Sequence, residues 1–302
     1  MKYLLAICFL ACLLMQANQA GADAEDIAYG PDPSQRLDVC TPAQQAPHMP
    51  ALVMIHGGGW VAGSRAGQAG PCRRFAAAGI VAVPIDYRLY EKTPHTAWPV
   101  QLNDVQLAMR WVRAHAGELG IDPDHICAEG DSAGAQLALL LGVLPRIAPG
   151  DMAQLLPGVS PQADCMISLS GPTDLVALAT ARPNYRGFLQ GPVAAAPDRL
   201  HALELSASPA LLAQRGAPPA LLIHGFQDKP VPFAQAEEMR QVLGRLGTPA
   251  WLVTYEGGHE LKGLSGPEIQ DVWALFARFV LARRLPGAPR EMSTGEAFQL
   301  EP

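Results

Sequence analysis

Short apolar runs alternate with stretches of helical spacing along most of this 302-residue chain. "ALVMI" (Ala51–Ile55) ends in three glycines, and "IVAVPIDYR", "HICAEG", "ADCMISLSG", "APPALLIHG" and "PAWLVTYEGG" are further runs of strand length. Between them lie helical patterns such as "PVQLNDVQLAMRWVRAHAGELG", with Val100, Val105, Leu107, Ala108, Trp111 and Val112 on one face and a stop at Gly120. Strands that are apolar throughout, joined by helices, predict an α/β protein with a mainly parallel central sheet covered on both faces. The stretch "SAGAQLALLLGVL" has almost no polar face, which predicts a buried helix. A Pro-rich, helix-prone insertion over 171–215, after the sixth strand, is expected to form a small lid. The tail 287–302 shows no periodicity and reads as a flexible extension.

The N-terminus is of a different kind. Lys2 precedes an apolar run, Tyr3 to Met15, followed by small and polar residues. The run is too short to span a bilayer and has the shape of a secretory signal peptide over residues 1–22. Ala20-Gly21-Ala22 and Ala22-Asp23-Ala24 both fit the small-x-small cleavage rule. A secreted or periplasmic protein is therefore expected, with a domain spanning 23–286. Cleavage would leave Cys40, Cys72, Cys127 and Cys165, for which three full pairings are open. Cys127 and Cys165 lie in apolar runs where buried free thiols are ordinary.

A hydrophobic content of 49% is ample for one large core, and a formal net charge of -6 argues against a nucleic-acid partner. No stable membrane insertion is expected beyond the N-terminal run. His48, His95, His115, His125 and His201 have no metal-ligand spacing, so neither metal nor cofactor is expected. Asp86, Arg88 and Asp104 read as structural ion pairs or loop hydrogen bonds.

Catalytic groups in such sheets gather at the carboxyl ends of the strands. There the chain carries "HGGGW" from His56, "GDSAG" from Gly130, "HGFQD" from His224, and "EGGHE" around His259. The G-x-S-x-G spacing puts Ser132 on a tight strand-to-helix turn, where the flanking glycines avoid a clash and the helix N-terminus favours negative charge. A serine nucleophile needs a base and an orienting acid. The order Ser132, Asp228, His259 is the one expected of this elbow. Consecutive glycines let backbone N–H groups approach an oxyanion, which assigns Gly58, Gly59 and Ala133 as donors. Trp60 beside this loop, and Tyr185 and Phe188 in the insertion, are candidates for substrate contact. His56 and His224 read as loop-orienting.

"RLDVCTP", "IHGGGWVAGS", "IDYRLY", "GDSAG", "SGPTDL", "PPALLIHGFQDKPVP" and "EGGHE", from about Arg36 to Leu285, together resemble the hormone-sensitive-lipase-like and carboxylesterase branch of the α/β-hydrolase fold. The resemblance implies a serine esterase acting on a small ester, with Ser132, Asp228 and His259 as its triad and HGGG in its oxyanion hole. "YRLYEK" replaces the more usual YRLAPE, and the segment before the oxyanion strand is short. A carbohydrate acetyl or feruloyl esterase and an amidase or formamidase use the same machinery. A non-catalytic binding module would typically lose the serine or histidine, and both are present.

Overall fold

The computed structural model describes residues 23–148, 150 and 152–298. The expected signal peptide, 1–22, lies outside the described residues. Nine strands form one sheet in the order β1-β2-β4-β3-β5-β6-β7-β8-β9. They are β1 Ala24–Ala28, β2 Arg36–Val39, β3 Met49–Ile55, β4 Val81–Ile85, β5 Ile121–Asp131, β6 Met166–Leu169, β7 Ala220–Gly225, β8 Ala250–Tyr255 and β9 Glu291–Ser293. β1, β2 and β4 pair antiparallel, and from β4 onward every pairing is parallel.

Alternate residues of the central strands face opposite layers, as the pleat requires. Val53, Ile55, Val83 and Ala128 join a core with α2 (Val100–Ala114) and α3 (Ala133–Val143). Leu52, Met54, Ala82 and Ile167 join a second core under α1 (Ala69–Ala77) and the long C-terminal helix Gly266–Ala282. Both faces are thus covered, so the strands needed no polar alternation. Every residue of α3 is buried, in keeping with its lack of a polar face. This architecture is an α/β-hydrolase fold.

The insertion after β6 is helical: α4 (Leu175–Ala181), α5 (Arg186–Gln190), α6 (Pro197–Ser206) and α7 (Pro209–Leu212) lie over the first core. The chain then continues through α8 (Ala234–Arg245) and α9, the Gly266–Ala282 helix, which a Ser265/Glu268 capping box starts.

One pairing that the sequence leaves open is decided, and one expectation is corrected. Cys127 and Cys165 form a disulfide, Cα–Cα 4.5 Å, and Cys40–Cys72 forms another, Cα–Cα 5.9 Å. β5 and β6 are adjacent parallel strands whose register pairs Ala128 with Met166. That register sets the two preceding cysteines side by side, and strand order is not readable from the strands themselves. The tail is not a loose extension over 287–298. β9 pairs with β8, Glu291 meets Arg240 at 3.1 Å, and the Arg290 guanidinium lies 4.2 Å above the Trp251 ring. Three residues of strand are too few to show a period.

The strand order reverses between β3 and β5, the place where open α/β sheets form a crevice at their carboxyl ends. Ile55 and Gly130 are partners in that pair, so the loops leaving β3 and β5 emerge together.

Candidate active site

β5 leads through Asp131 into Ser132, and α3 starts at Ala133. Ser132 has φ 50° and ψ -115°, a conformation that L-residues adopt only when the surroundings enforce it. The glycines on either side are required by close approach. A Cβ on Gly130 would lie 2.3 Å from the Gly134 carbonyl carbon, within the turn itself. A Cβ on Gly134 would lie 1.9 Å from the Ile55 carbonyl oxygen. The second glycine is therefore demanded by the neighbouring strand β3 rather than by the turn.

β7 and β8 bring the partners. His259 Nε2 is 2.8 Å from Ser132 Oγ, and His259 Nδ1 is 2.7 Å from Asp228 Oδ2. With Nδ1–H donating to the carboxylate, Nε2 is left to accept the serine proton. The Val231 N–H donates to Asp228 Oδ1 at 2.8 Å, and His224 Nε2 lies 3.2 Å from Oδ2. Burial alone would raise the Asp228 carboxyl, but hydrogen bonds from His224, His259 and Val231 outweigh it and hold the group well below the usual carboxylate range. For His259, burial lowers the pKa. The bond to Asp228 and the charges of Asp228, Glu260 and Asp131 more than offset that, so the imidazole is raised above its ordinary value. His224, in β7, orients this loop as expected, with Nε2 2.8 Å from the Val231 carbonyl oxygen, and the same nitrogen also lies beside Asp228, four residues on.

The oxyanion loop follows β3. His56 stacks on Tyr87 with ring centroids 4.4 Å apart and bonds through Nδ1 to the Gly57 carbonyl at 2.7 Å. The Tyr87 hydroxyl donates to the His56 carbonyl at 3.0 Å, which fixes the start of the loop. Gly57 N–H is taken by Asp131 Oδ2 at 3.0 Å. No acceptor among the described residues takes the N–H of Gly58 or Gly59, whose φ angles are 109° and 62°. Ala133 opens α3, where the backbone N–H has no intrahelical acceptor. Three donors of the type an oxyanion needs therefore belong to the two loops that leave β3 and β5.

Two carboxyls were not singled out by the sequence. Glu260 Oε1 is 3.5 Å from His259 Nε2, and the Asp131 and Glu260 carboxyls face one another. Burial and then the charge of Glu260 push Asp131 above the ordinary carboxylate range. The pair is formed by two loops from distant parts of the sequence, so no local pattern announces it.

Trp60, Tyr185 and Phe188 meet one another. Phe188 stacks on Trp60 at 3.9 Å, and Tyr185 approaches its edge at 5.9 Å. Trp60 is only 1% exposed, and its indole donates to Gln136 Oε1 at 3.1 Å. Gln136 Nε2 in turn donates to the Ala207 carbonyl of the lid at 2.8 Å. This buried amide on α3, which ties the lid to the oxyanion loop, also escaped the sequence reading because it sits in an otherwise apolar helix. The Tyr185 hydroxyl donates to the Pro230 carbonyl at 3.2 Å, beside the Asp228 loop. Asp104 and Arg88 pair at the base of this region, the structural role their sequence positions suggested. Among the described residues, no cluster of three or more His, Cys, Asp or Glu side chains is arranged to hold a metal ion. No helix among them is long and apolar enough to cross a membrane.

Comparison with known proteins places the chain among esterase relatives. The model of the family described as BD-FAE matches residues 37–243. Esterase LipC of Mycobacterium tuberculosis is 37% identical over 215 residues, covering 70% of this chain and 52% of that protein. Esterase LipQ of the same organism is 32% identical over 75% of this chain and 54% of its own length. The chain thus spans about half the length of the curated relatives it matches. Among solved structures, the propionate-bound esterase Est2 of Thermogutta terrifontis superposes with a TM-score of 0.71 at 28% identity, covering 88% of this chain and 96% of that one. A truncated carbohydrate esterase from gut microbiota gives 0.72 at 22% identity, over 88% and 98%, a likeness of fold.

Proposed function

This chain belongs to the BD-FAE family, and from that membership we propose that it is a serine carboxylesterase acting on short-chain esters. The observation that carries the reading is the unbroken line from Asp228 through His259 to Ser132, 2.7 and 2.8 Å, at the mouth of a glycine loop with free N–H groups. His259 takes the Ser132 proton as Oγ attacks the ester carbonyl. The N–H groups of Gly58, Gly59 and Ala133 receive the developing oxyanion. His259, now protonated, gives its proton to the leaving alkoxide, which departs as the alcohol. A water, deprotonated by the same imidazole, then attacks the acyl-enzyme and releases the acid. Asp228 holds the imidazole tautomer and stabilises its cation throughout. The preference for short acyl groups is supported by the closed packing of Trp60 against Phe188 beside the oxyanion loop.

The test is hydrolysis of p-nitrophenyl esters from acetate to long chains, with Ser132→Ala alongside. Activity peaking at short chains and lost in the variant is expected. Substantial residual, inhibitor-sensitive turnover by a folded Ser132→Ala protein would refute the mechanism.

The chain is further proposed to be exported, with residues 1–22 as the signal segment. Two disulfides in a domain large enough to fold without them support an oxidising compartment. Export should yield a chain starting at Asp23 or Glu25, read by N-terminal sequencing. An intact Met1 on the exported protein would contradict it.

A further inference from the structure

Away from the triad, the lid and the core line an open-mouthed pocket of about 390 Å³, within the usual range for small-molecule sites. Its walls are apolar: Leu102 from α2, Leu144 and Ile147 beyond the end of α3, and Leu203 and Leu212 from the lid. Leu144 lies twelve residues past Ser132 along α3, about 18 Å at the helical rise. None of the residues assigned to the triad, the oxyanion hole or the aromatic stack lines it.

We propose that this cavity binds a carboxylate bearing an apolar tail, with the tail among these leucines and the carboxylate on Arg146. The polar inventory of the walls points to that chemistry. Ser206 Oγ accepts from the Trp98 indole at 2.8 Å and donates to the Leu203 carbonyl at 2.8 Å, so both lining polar side chains are already engaged. Arg146 is the remaining charged group of the lining; it is exposed at the rim of the pocket and makes no ion pair among the described residues. Its segment is set by a fully buried side chain. Gln106 Nε2 donates to the Arg146 carbonyl at 3.1 Å, and Gln106 Oε1 accepts from the Ala148 N–H at 2.7 Å. A purely apolar ligand would leave the guanidinium to water, whereas a carboxylate at the rim gains a charge-assisted bond from it.

Occupancy would also brace the lid. Trp98 N–H donates to the Phe188 carbonyl at 2.9 Å, and the Trp98 ring stands edge-on to Phe188, which stacks on Trp60 at the oxyanion loop. A tail packed on Trp98, Leu203 and Leu212 joins both sides of that seam.

The experiment uses the Ser132→Ala chain, so that binding is read independently of any hydrolysis and a failure of the esterase reading leaves it intact. Decanoate and decan-1-ol, both below micelle formation, are titrated by calorimetry and tryptophan fluorescence. Saturable one-to-one binding of decanoate, about tenfold or more tighter than the alcohol, is expected for one charge-assisted bond at an accessible site. Arg146→Glu should weaken decanoate by a similar factor, and Leu212→Trp, which fills the cavity, should abolish it. In the Ser132 parent, Arg146→Glu should leave p-nitrophenyl acetate hydrolysis unchanged. Absence of saturable decanoate binding would overturn the proposal. So would decanol binding as tightly as decanoate, or affinity unaltered in folded Arg146→Glu, a surface change that does not threaten folding.

Discussion

The two glycines assigned to the oxyanion hole differ in what a methyl group would meet, and that difference is a test of the mechanism. Gly58 has φ 109°, and a Cβ there would lie 2.1 Å from the Ala62 carbonyl oxygen. The same turn is closed by the Val61 and Ala62 N–H groups, which return to the Gly58 carbonyl at 3.2 and 3.1 Å. Alanine at 58 cannot be accommodated without shifting this turn and the donors it carries. Gly59 has φ 62°, inside the left-handed region, and nothing lies within 4 Å of its Cβ position. Alanine at 59 therefore costs about 1–2 kcal/mol of local conformational energy while keeping its N–H in place. Misplacing one oxyanion donor costs about 10²–10³ in kcat. Gly58→Ala should thus lose about 10²–10³ in kcat, and Gly59→Ala should stay within about tenfold of the parent. The assay is steady-state hydrolysis of p-nitrophenyl acetate, whose small acyl group limits contact with the new methyl, with circular dichroism to confirm folding. Equal damage from the two substitutions, or near-normal turnover in Gly58→Ala, would refute the assignment of this loop.

Three further outcomes follow from the site. Asp228→Asn keeps the shape but presents His259 with the wrong tautomer, so kcat should fall by about 10⁴ with the fold unchanged. Activity within tenfold of the parent would exclude Asp228 from the triad. Because His259 must be neutral to act as base and its pKa is raised above 6.5, kcat/KM should increase as pH rises through a midpoint above that value. Glu260→Gln removes a negative charge 3.5 Å from Nε2. At the water-like dielectric of an exposed carboxylate that interaction is about 1 kcal/mol, so the acid limb should move down by up to about one pH unit. An upward shift would contradict the arrangement. The disulfides close separations of 32 and 38 residues, and chain entropy assigns about 4 kcal/mol to each. Reduction should lower the melting temperature clearly in calorimetry, and an unchanged transition would argue against both bridges.

Much of the site could be read directly along the chain because its chemistry is local. The elbow is five consecutive residues, Gly130 to Gly134, of which Gly130 and Ser132 follow from one tight turn. The oxyanion loop is likewise consecutive, and the apolar runs with helices between them specify a covered parallel sheet. Asp228 and His259 are legible because each lies in the loop that follows a strand, and strand ends in such a sheet share one edge.

What the sequence could not supply is what depends on which strands and loops are neighbours. Cys127 and Cys165 become partners only because β5 and β6 lie side by side in one register. The facing of Asp131 and Glu260, the hold of Gln136 on both Trp60 and the lid, and the Gly134 requirement against Ile55 all join segments far apart in the chain. The three-residue strand β9 is stabilised by its neighbour β8, not by any pattern of its own. Local sequence carries turn geometry and periodicity, which are short-range steric and burial preferences. Pairings across the sheet and between loops are set when the layers pack, and they exist only in the tertiary structure.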